Sequence, residues 1–194
     1  MIKSGFFAMI SRMKYINRWS LMRNTVSENL SEHSLEVAFI AHLLCLIRNK
    51  RFGGNVNSER AALIAMYHDT TEIITGDLPT PVKYYNGSIR SAYSDIEKNA
   101  ADKLISQLPE DLRKEYSDIL SGGDDDEIKE LVKAADKISA LIKCVEERQM
   151  GNNDFKEAET ATLKIIKDMH LKEADVFLDE FMEGYGLTID QLTK

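Results

Sequence analysis

Residues 61–72 read Ala-Ala-Leu-Ile-Ala-Met-Tyr-His-Asp-Thr-Thr-Glu. The run begins as an apolar helix and ends in three polar groups, His68, Asp69 and Glu72, that can hold a metal or move a proton. Imidazole and carboxylate together suit divalent first-row metals. Adjacent side chains on a helix point apart, so His68 and Asp69 converge on one ion only if the backbone turns there, as at a helix end. Glu72, three residues on, is close enough to act on an activated water without being a ligand. The same residues have a plainer use. A histidine in a last helical turn offsets the dipole, and Asp69-Thr-Thr-Glu72 has the form of a helix-starting cap. The metal reading therefore needs partners elsewhere in the chain.

The surrounding pattern is helical throughout. Residues 4–15 predict a short helix with Phe7, Ile10 and Met13 inward, and Asn17-Arg18-Trp19-Ser20 leaves it as a loop. Leu35, Ala38, Phe39, His42, Leu43, Leu46 and Ile47 follow helical spacing and predict one long helix over 32–49; His42 reads as a packed or capping residue. Asn57 caps a helix over 58–68. Two prolines keep Gly76-Asp77-Leu78-Pro79-Thr80-Pro81 irregular. Ala92, Ile96, Ala100 and Leu104 mark the inner face of a helix over 88–107, and Pro109 opens another to about Leu120. The acidic run Asp124–Glu127 offsets the dipole at the start of a helix that runs to Met150. Two more helices, 153–169 and 171–183, follow Gly151 and stop at Gly184. With no strand pattern, internal repeat or linker, the expected fold is all-α, one domain over residues 1–194.

Charge and cysteines narrow the classes of function. The net charge of −7 disfavours a general role on nucleic-acid polymers, whose binding rests on neutralising phosphate. Residues 1–27 hold Lys3, Arg12, Lys14, Arg18 and Arg23 and no acid. A basic segment on an acidic body suits a small anionic substrate, or is a solvated helix face. Cys45 and Cys144 lie in apolar helical patterns and read as buried free thiols. The N-terminus lacks the features of a signal peptide, and no run approaches the ~20 apolar residues of a membrane span. A cytoplasmic protein with no membrane partner is expected.

Two stretches supply the missing partners. Ser31-Glu32-His33-Ser34-Leu35-Glu36 opens a helix with His33 in its first turn. Asp136 sits among small residues in Ala134-Ala135-Asp136-Lys137-Ile138-Ser139-Ala140, where a carboxylate is costly to bury unless paired or metal-bound. The order His…His-Asp…Asp resembles the signature of HD-domain phosphohydrolases. Arg18-Trp19, Ser31–Ser34, Tyr67–Glu72, Thr75-Gly-Asp-Leu-Pro-Thr-Pro-Val-Lys83 and Lys133–Asp136 together resemble the bacterial 5′-deoxynucleotidases of the YfbR type. The likeness runs to about Asn153 and more loosely beyond.

The resemblance implies a helical HD-domain fold and a substrate, deoxyribonucleoside 5′-monophosphate. It implies one divalent ion, cobalt, manganese or copper, on His33, His68, Asp69 and Asp136. Glu72 is the expected general base. Asp77 is expected to protonate the leaving oxygen or fix the substrate. Arg18 offers a planar fork for phosphate and Trp19 an apolar wall for the sugar. The expected substrate-contacting set is Arg18, Trp19, His33, Asp69, Asp77, Leu78, Pro79, Thr80 and Asp136. The family also implies a homodimer, with the C-terminal helices as its face. Two other readings remain. One is an HD-type enzyme acting on phosphodiesters or triphosphates, against which Arg18-Trp19 and the Asp77 loop speak. The other is a non-enzymatic helical protein with a structural metal. Structural zinc sites usually draw on cysteine, and both cysteines lie outside the cluster.

Overall fold

The structure, a computed structural model, describes residues 4–83 and 85–194; the side chain of Thr80 also lies outside what it describes. In chain order the α-helices are Phe6–Ile10 (α1), Leu30–Arg51 (α2), Ser58–Tyr67 (α3), Glu72–Thr75 (α4), Thr80–Lys83 (α5), Gly87–Ile105 (α6) and Arg113–Leu120 (α7). Asp126–Gln149 (α8), Lys156–Asp168 (α9), Lys172–Glu180 (α10) and Ile189–Leu192 (α11) complete them. Among the described residues the only strand-like feature is an isolated antiparallel bridge between Asn17 and Asn29.

Local chemistry sets the helix ends. The Asn29 side chain accepts from the amides of Ser31 and Glu32, and Glu32 reaches back to the Asn29 amide, so α2 starts on a reciprocal cap. Asn57 caps α3 through the Arg60 amide. Asp125 caps α8 through Glu127 and Ile128, with Asp126 and Glu127 in the first turn, which accounts for the acidic run. Pro81 stands inside the first turn of α5, where its missing N–H costs no helical bond; the irregular stretch is thus shorter than expected. After Pro109 a 3-10 turn, Glu110–Leu112, precedes α7. The helix expected over 171–183 stops at Glu180, and Gly184 falls inside the 3-10 turn that follows.

The main core joins α2, α3, α8 and the C-terminal helices. Small residues at the crossings, Ala41, Ala61, Ala65, Ala134 and Ala135, are buried and let the backbones approach closely. α2 buries Leu30, His33, Ser34, Val37, Ala41, Leu44 and Cys45. This corrects the expected inner face: Leu35 is 49% and Phe39 67% exposed. α2 is apolar nearly all round, so spacing alone offers several faces, and contact with α3 and α8 selects among them. α2 is also long and apolar enough to cross a membrane by length and composition, contrary to the sequence expectation; its buried residues pack within the core. Elsewhere Phe6 and Met13 are buried while Phe7 is exposed, and α6 buries Tyr93, Ala100 and Leu104 while Ala92 and Ile96 face outward. Both cysteines are buried and free.

Candidate active site

Three helices meet at the predicted cluster. α3 ends at Tyr67, and His68 is its C-cap. The turn that follows swings Asp69 beside His68, Nε2 to Oδ2 3.2 Å, which solves the problem of two adjacent residues sharing one point. His33, fully buried on α2, brings its Nε2 within 3.5 Å of the same Asp69 oxygen and 3.2 Å of Asp136 Oδ1 on α8. One ligand atom each from His33, His68 and Asp136 lies within 4.8 Å of the others. The Nε2 atoms of both histidines are buried and have no hydrogen-bond partner among the described residues. Buried imidazole nitrogens are normally satisfied, so two of them facing two carboxylates fit a divalent cation. The cap expected of Asp69-Thr-Thr-Glu72 is absent: Thr71 precedes α4 without a side-chain cap bond.

Each imidazole is fixed from behind. His68 Nδ1 donates to the Ala65 carbonyl at 2.7 Å. His33 Nδ1 lies 3.0 Å from Ser139 Oγ, and Ser139 donates to Glu36 Oε2 at 2.6 Å. With its proton committed to Glu36, the serine oxygen is free to accept from His33 Nδ1–H. That tautomer turns the Nε2 lone pair toward the cluster. Burial, with Arg18 nearby, lowers the His33 pKa and keeps the ring neutral. Burial also works against charge on His68, but Asp69 outweighs it and raises that pKa to about 9. Asp69 and Asp136 are both held below the usual carboxylate range: burial opposes this, and the histidines prevail.

The remaining candidates ring the cluster. Arg18 is nearly buried; its Nε donates to Glu28 Oε2 at 3.2 Å and its Nη1 to Asp69 Oδ2 at 3.5 Å. Trp19 packs on Phe155 at 5.3 Å between ring centroids and donates from Nε1 to the same Glu28 oxygen at 3.0 Å. Its φ is +56°, a left-handed conformation rare for a bulky residue. Glu72 is buried, and its Oε2 has no hydrogen-bond partner among the described residues. Burial first, then the charges of Asp69 and Asp77, push its pKa up to about 9. Burial likewise raises the Asp77 pKa, against the nearby Arg18 charge that lowers it. Leu78 and Pro79 are half-buried beside Asp77. Thr80 was also expected here, and its side chain lies outside the described residues.

Sequence reasoning missed four residues. Glu28 is the first acid after the basic segment and holds both Arg18 and Trp19. Glu36 and Ser139 back His33; their signal was position, each three residues beyond a predicted ligand and therefore on the same helical face. Glu147, 1% exposed, accepts from the Thr25 and Val26 amides, Lys143 and Asn152, tying the Arg18–Trp19 loop to α8.

An all-helical fold with this histidine and carboxylate cluster defines an HD-domain, metal-dependent phosphohydrolase. Solved structures agree. An HD-domain phosphohydrolase from Listeria innocua superposes with a TM-score of 0.79 at 26% identity, covering 93% of this chain and 87% of that one. A cyanophage S-2L HD phosphohydrolase, described as bound to dA and one catalytic zinc ion, shares the fold at 18% identity and a TM-score of 0.67, covering 91% and 96%. The family described as 5′-deoxynucleotidase YfbR-like matches residues 5–185, and the chain belongs to it. The 5′-deoxynucleotidase YfbR of Shigella boydii is 48% identical over 100% of this chain and 98% of its own length. A 5′-deoxynucleotidase of Erwinia tasmaniensis is 49% identical with the same coverage.

Proposed function

We propose that this member of the family hydrolyses deoxyribonucleoside 5′-monophosphates to deoxynucleoside and phosphate. His33, His68, Asp69 and Asp136 would hold one divalent cation. The observation that carries the reading is the pair of buried, unbonded Nε2 atoms facing two carboxylates. A divalent ion there supplies a lowered water pKa and screening of phosphate charge. Arg18 binds a phosphate oxygen with the N–H groups it gives to neither Glu28 nor Asp69. Glu72 Oε2, buried and without a partner among the described residues, would take the proton of the attacking water once a cation on the cluster offsets the Asp69 charge that helps to raise its pKa. As water adds to phosphorus the bond to the 5′ oxygen breaks, and Asp77, on the loop beside the cluster, gives a proton to that oxygen. Trp19, with Leu78 and Pro79, walls the sugar.

The ion is cobalt, manganese or copper, and the zinc of the cyanophage protein adds zinc to those worth testing. The enzyme works as one domain in the cytoplasm, which suits its two free thiols, and as a homodimer. Supporting the dimer is an apolar groove of about 360 Å³ lined by Phe39, Leu43, Phe177, Phe181 and Tyr185, with Phe39 left largely exposed. The deciding experiment is phosphate release from deoxy- and ribonucleoside monophosphates, with chelator and with each metal restored. Activity abolished by chelator, with a clear preference for deoxy over ribo substrates, is expected. Equal rates with a phosphodiester would sink the reading.

A further inference from the structure

The structure assigns to Glu28 the task of setting the angle between Arg18 and Trp19, and through it the selection of the sugar. A single oxygen, Glu28 Oε2, accepts from Arg18 Nε at 3.2 Å and from Trp19 Nε1 at 3.0 Å. Both bonds fix side chains that would otherwise turn freely about several torsions. The Glu28 backbone adds a third restraint, because its carbonyl accepts from the Arg18 amide at 2.9 Å. The Asn17–Asn29 bridge and the bond from the Leu30 amide to the Ile16 carbonyl, 3.0 Å, close the neck of the loop at the same level. Glu28 is therefore held by the backbone before its side chain acts.

The need for such a residue follows from Trp19. Its left-handed backbone is unfavourable, so it persists only where surrounding bonds over-determine it. The Met22 amide and Asn24 Nδ2 both donate to the Trp19 carbonyl, at 2.9 and 3.1 Å. Those contacts fix the backbone; Phe155 covers one face of the ring. Among the described residues, only the Glu28 bond sets the ring's rotation and ties it to the guanidinium. A carboxylate suits both demands, since it balances the Arg18 charge and accepts from the indole. Glu28 is a positioning residue, because it acts through Arg18 and Trp19.

This inference rests on the proposed roles of those two residues, and the test separates the two. Trp19 is the only tryptophan in the chain, so intrinsic fluorescence reports its surroundings alone. In Glu28→Ala, KM for dAMP should rise about tenfold, the size of a lost charge-assisted bond, with a smaller change in kcat. The ratio of kcat/KM for dAMP over AMP should narrow, and the emission should shift to the red. Metal affinity should stay at the native value; a fall matching that in kcat/KM would overturn the proposal, with Glu28 acting through His33 Nδ1 at 3.8 Å instead. Glu28→Gln keeps an acceptor for the indole and loses the charge. It should keep the native emission and ratio yet still raise KM, and it serves if the alanine variant does not fold; a native KM there overturns the proposal. If Trp19→Ala narrows the ratio and Glu28→Ala does not, Glu28 is excluded while the role of Trp19 stands. If neither narrows it, both fall.

Discussion

Removing one hydroxyl at Ser139 should weaken metal binding without touching a ligand. Ser139 is fully buried, 3.0 Å from His33 Nδ1 and 2.6 Å from Glu36 Oε2. In Ser139→Ala the Nδ1–H of a fully buried ring loses its acceptor, and leaving such a group unmade costs about 1–3 kcal/mol. The ring can escape the cost by moving its proton to Nε2, which stands 3.2 Å from Asp136 Oδ1. That proton then occupies the atom a cation needs, so the cost returns on binding. Losses of about 10–100-fold in affinity are usual when the partner behind a ligating histidine is removed, or about 1.4–2.8 kcal/mol at 1.4 kcal/mol per decade. The two routes agree in size. The assays are calorimetric titration of manganese or cobalt into metal-free protein, and long-range proton–nitrogen NMR of the histidine rings to read the tautomer. A native affinity, or an Nδ1–H tautomer unchanged in the variant, would refute the reasoning.

Glu72→Ala should bind metal and nucleotide but lose about 10²–10⁴-fold in kcat, the range of general-base catalysis; loss of metal, read by elemental analysis, would make Glu72 a ligand or its support. His68 must shed a proton to ligate, and its pKa is raised to about 9. Apparent metal affinity should therefore climb as pH rises toward that value, with a proton released on binding, visible as a buffer-dependent heat. Glu147→Ala leaves Lys143, with its side chain 7% exposed, without its ion partner. A cost of about 3–5 kcal/mol is expected, or roughly 6–20 °C in Tm for a chain of this size, with KM raised as the loop loosens. The Glu147 pKa lies below its ordinary value: burial opposes this, and the bonds from Lys143, Asn152 and Thr25 outweigh it. Its stabilisation is thus complete above the unfolded pKa of about 4.5 and lost as pH falls below it. The native protein should lose Tm in acid while Glu147→Gln loses less.

Much of this was legible before any coordinates. Helix ends followed from Asn57, the acidic run Asp124–Glu127 and Gly151, whose chemistry is local, while the Asn29 cap starts α2 two residues before the expected position. The His68-Asp69 pair and the isolated Asp136 stood out because such residues are costly in apolar helices. The inner face of α2 was not legible, because nearly every side of it is apolar and only its neighbours choose. Glu28, Glu36, Ser139 and Glu147 were hidden for a different reason. Glu36, Ser139 and Glu147 meet partners far off in the chain, 103 positions for Ser139 and Glu36 and 122 for Glu147 and Thr25, while Glu28 meets Arg18 and Trp19 across an irregular loop. No periodicity encodes a contact of that kind.

The anchoring of the Arg18–Trp19 loop decides how far the chain can be trimmed. All four candidate ligands, the proposed base and the phosphate-binding arginine lie before residue 137. A fragment ending at Gln149 would keep each of them and all of α8. It would lack Phe155, which backs the Trp19 ring, and Asn152, which donates to Glu147 and to the Arg23 carbonyl. It would also lack Asp154, the partner of Arg23 at 2.7 Å. It would further strip Ile166, Leu171, Ala174 and Phe177 from the main core, so trimming there costs the fold as well as the handling of the sugar. The catalytic surface is written at both ends of the sequence, and its last line falls in the turn between α8 and α9.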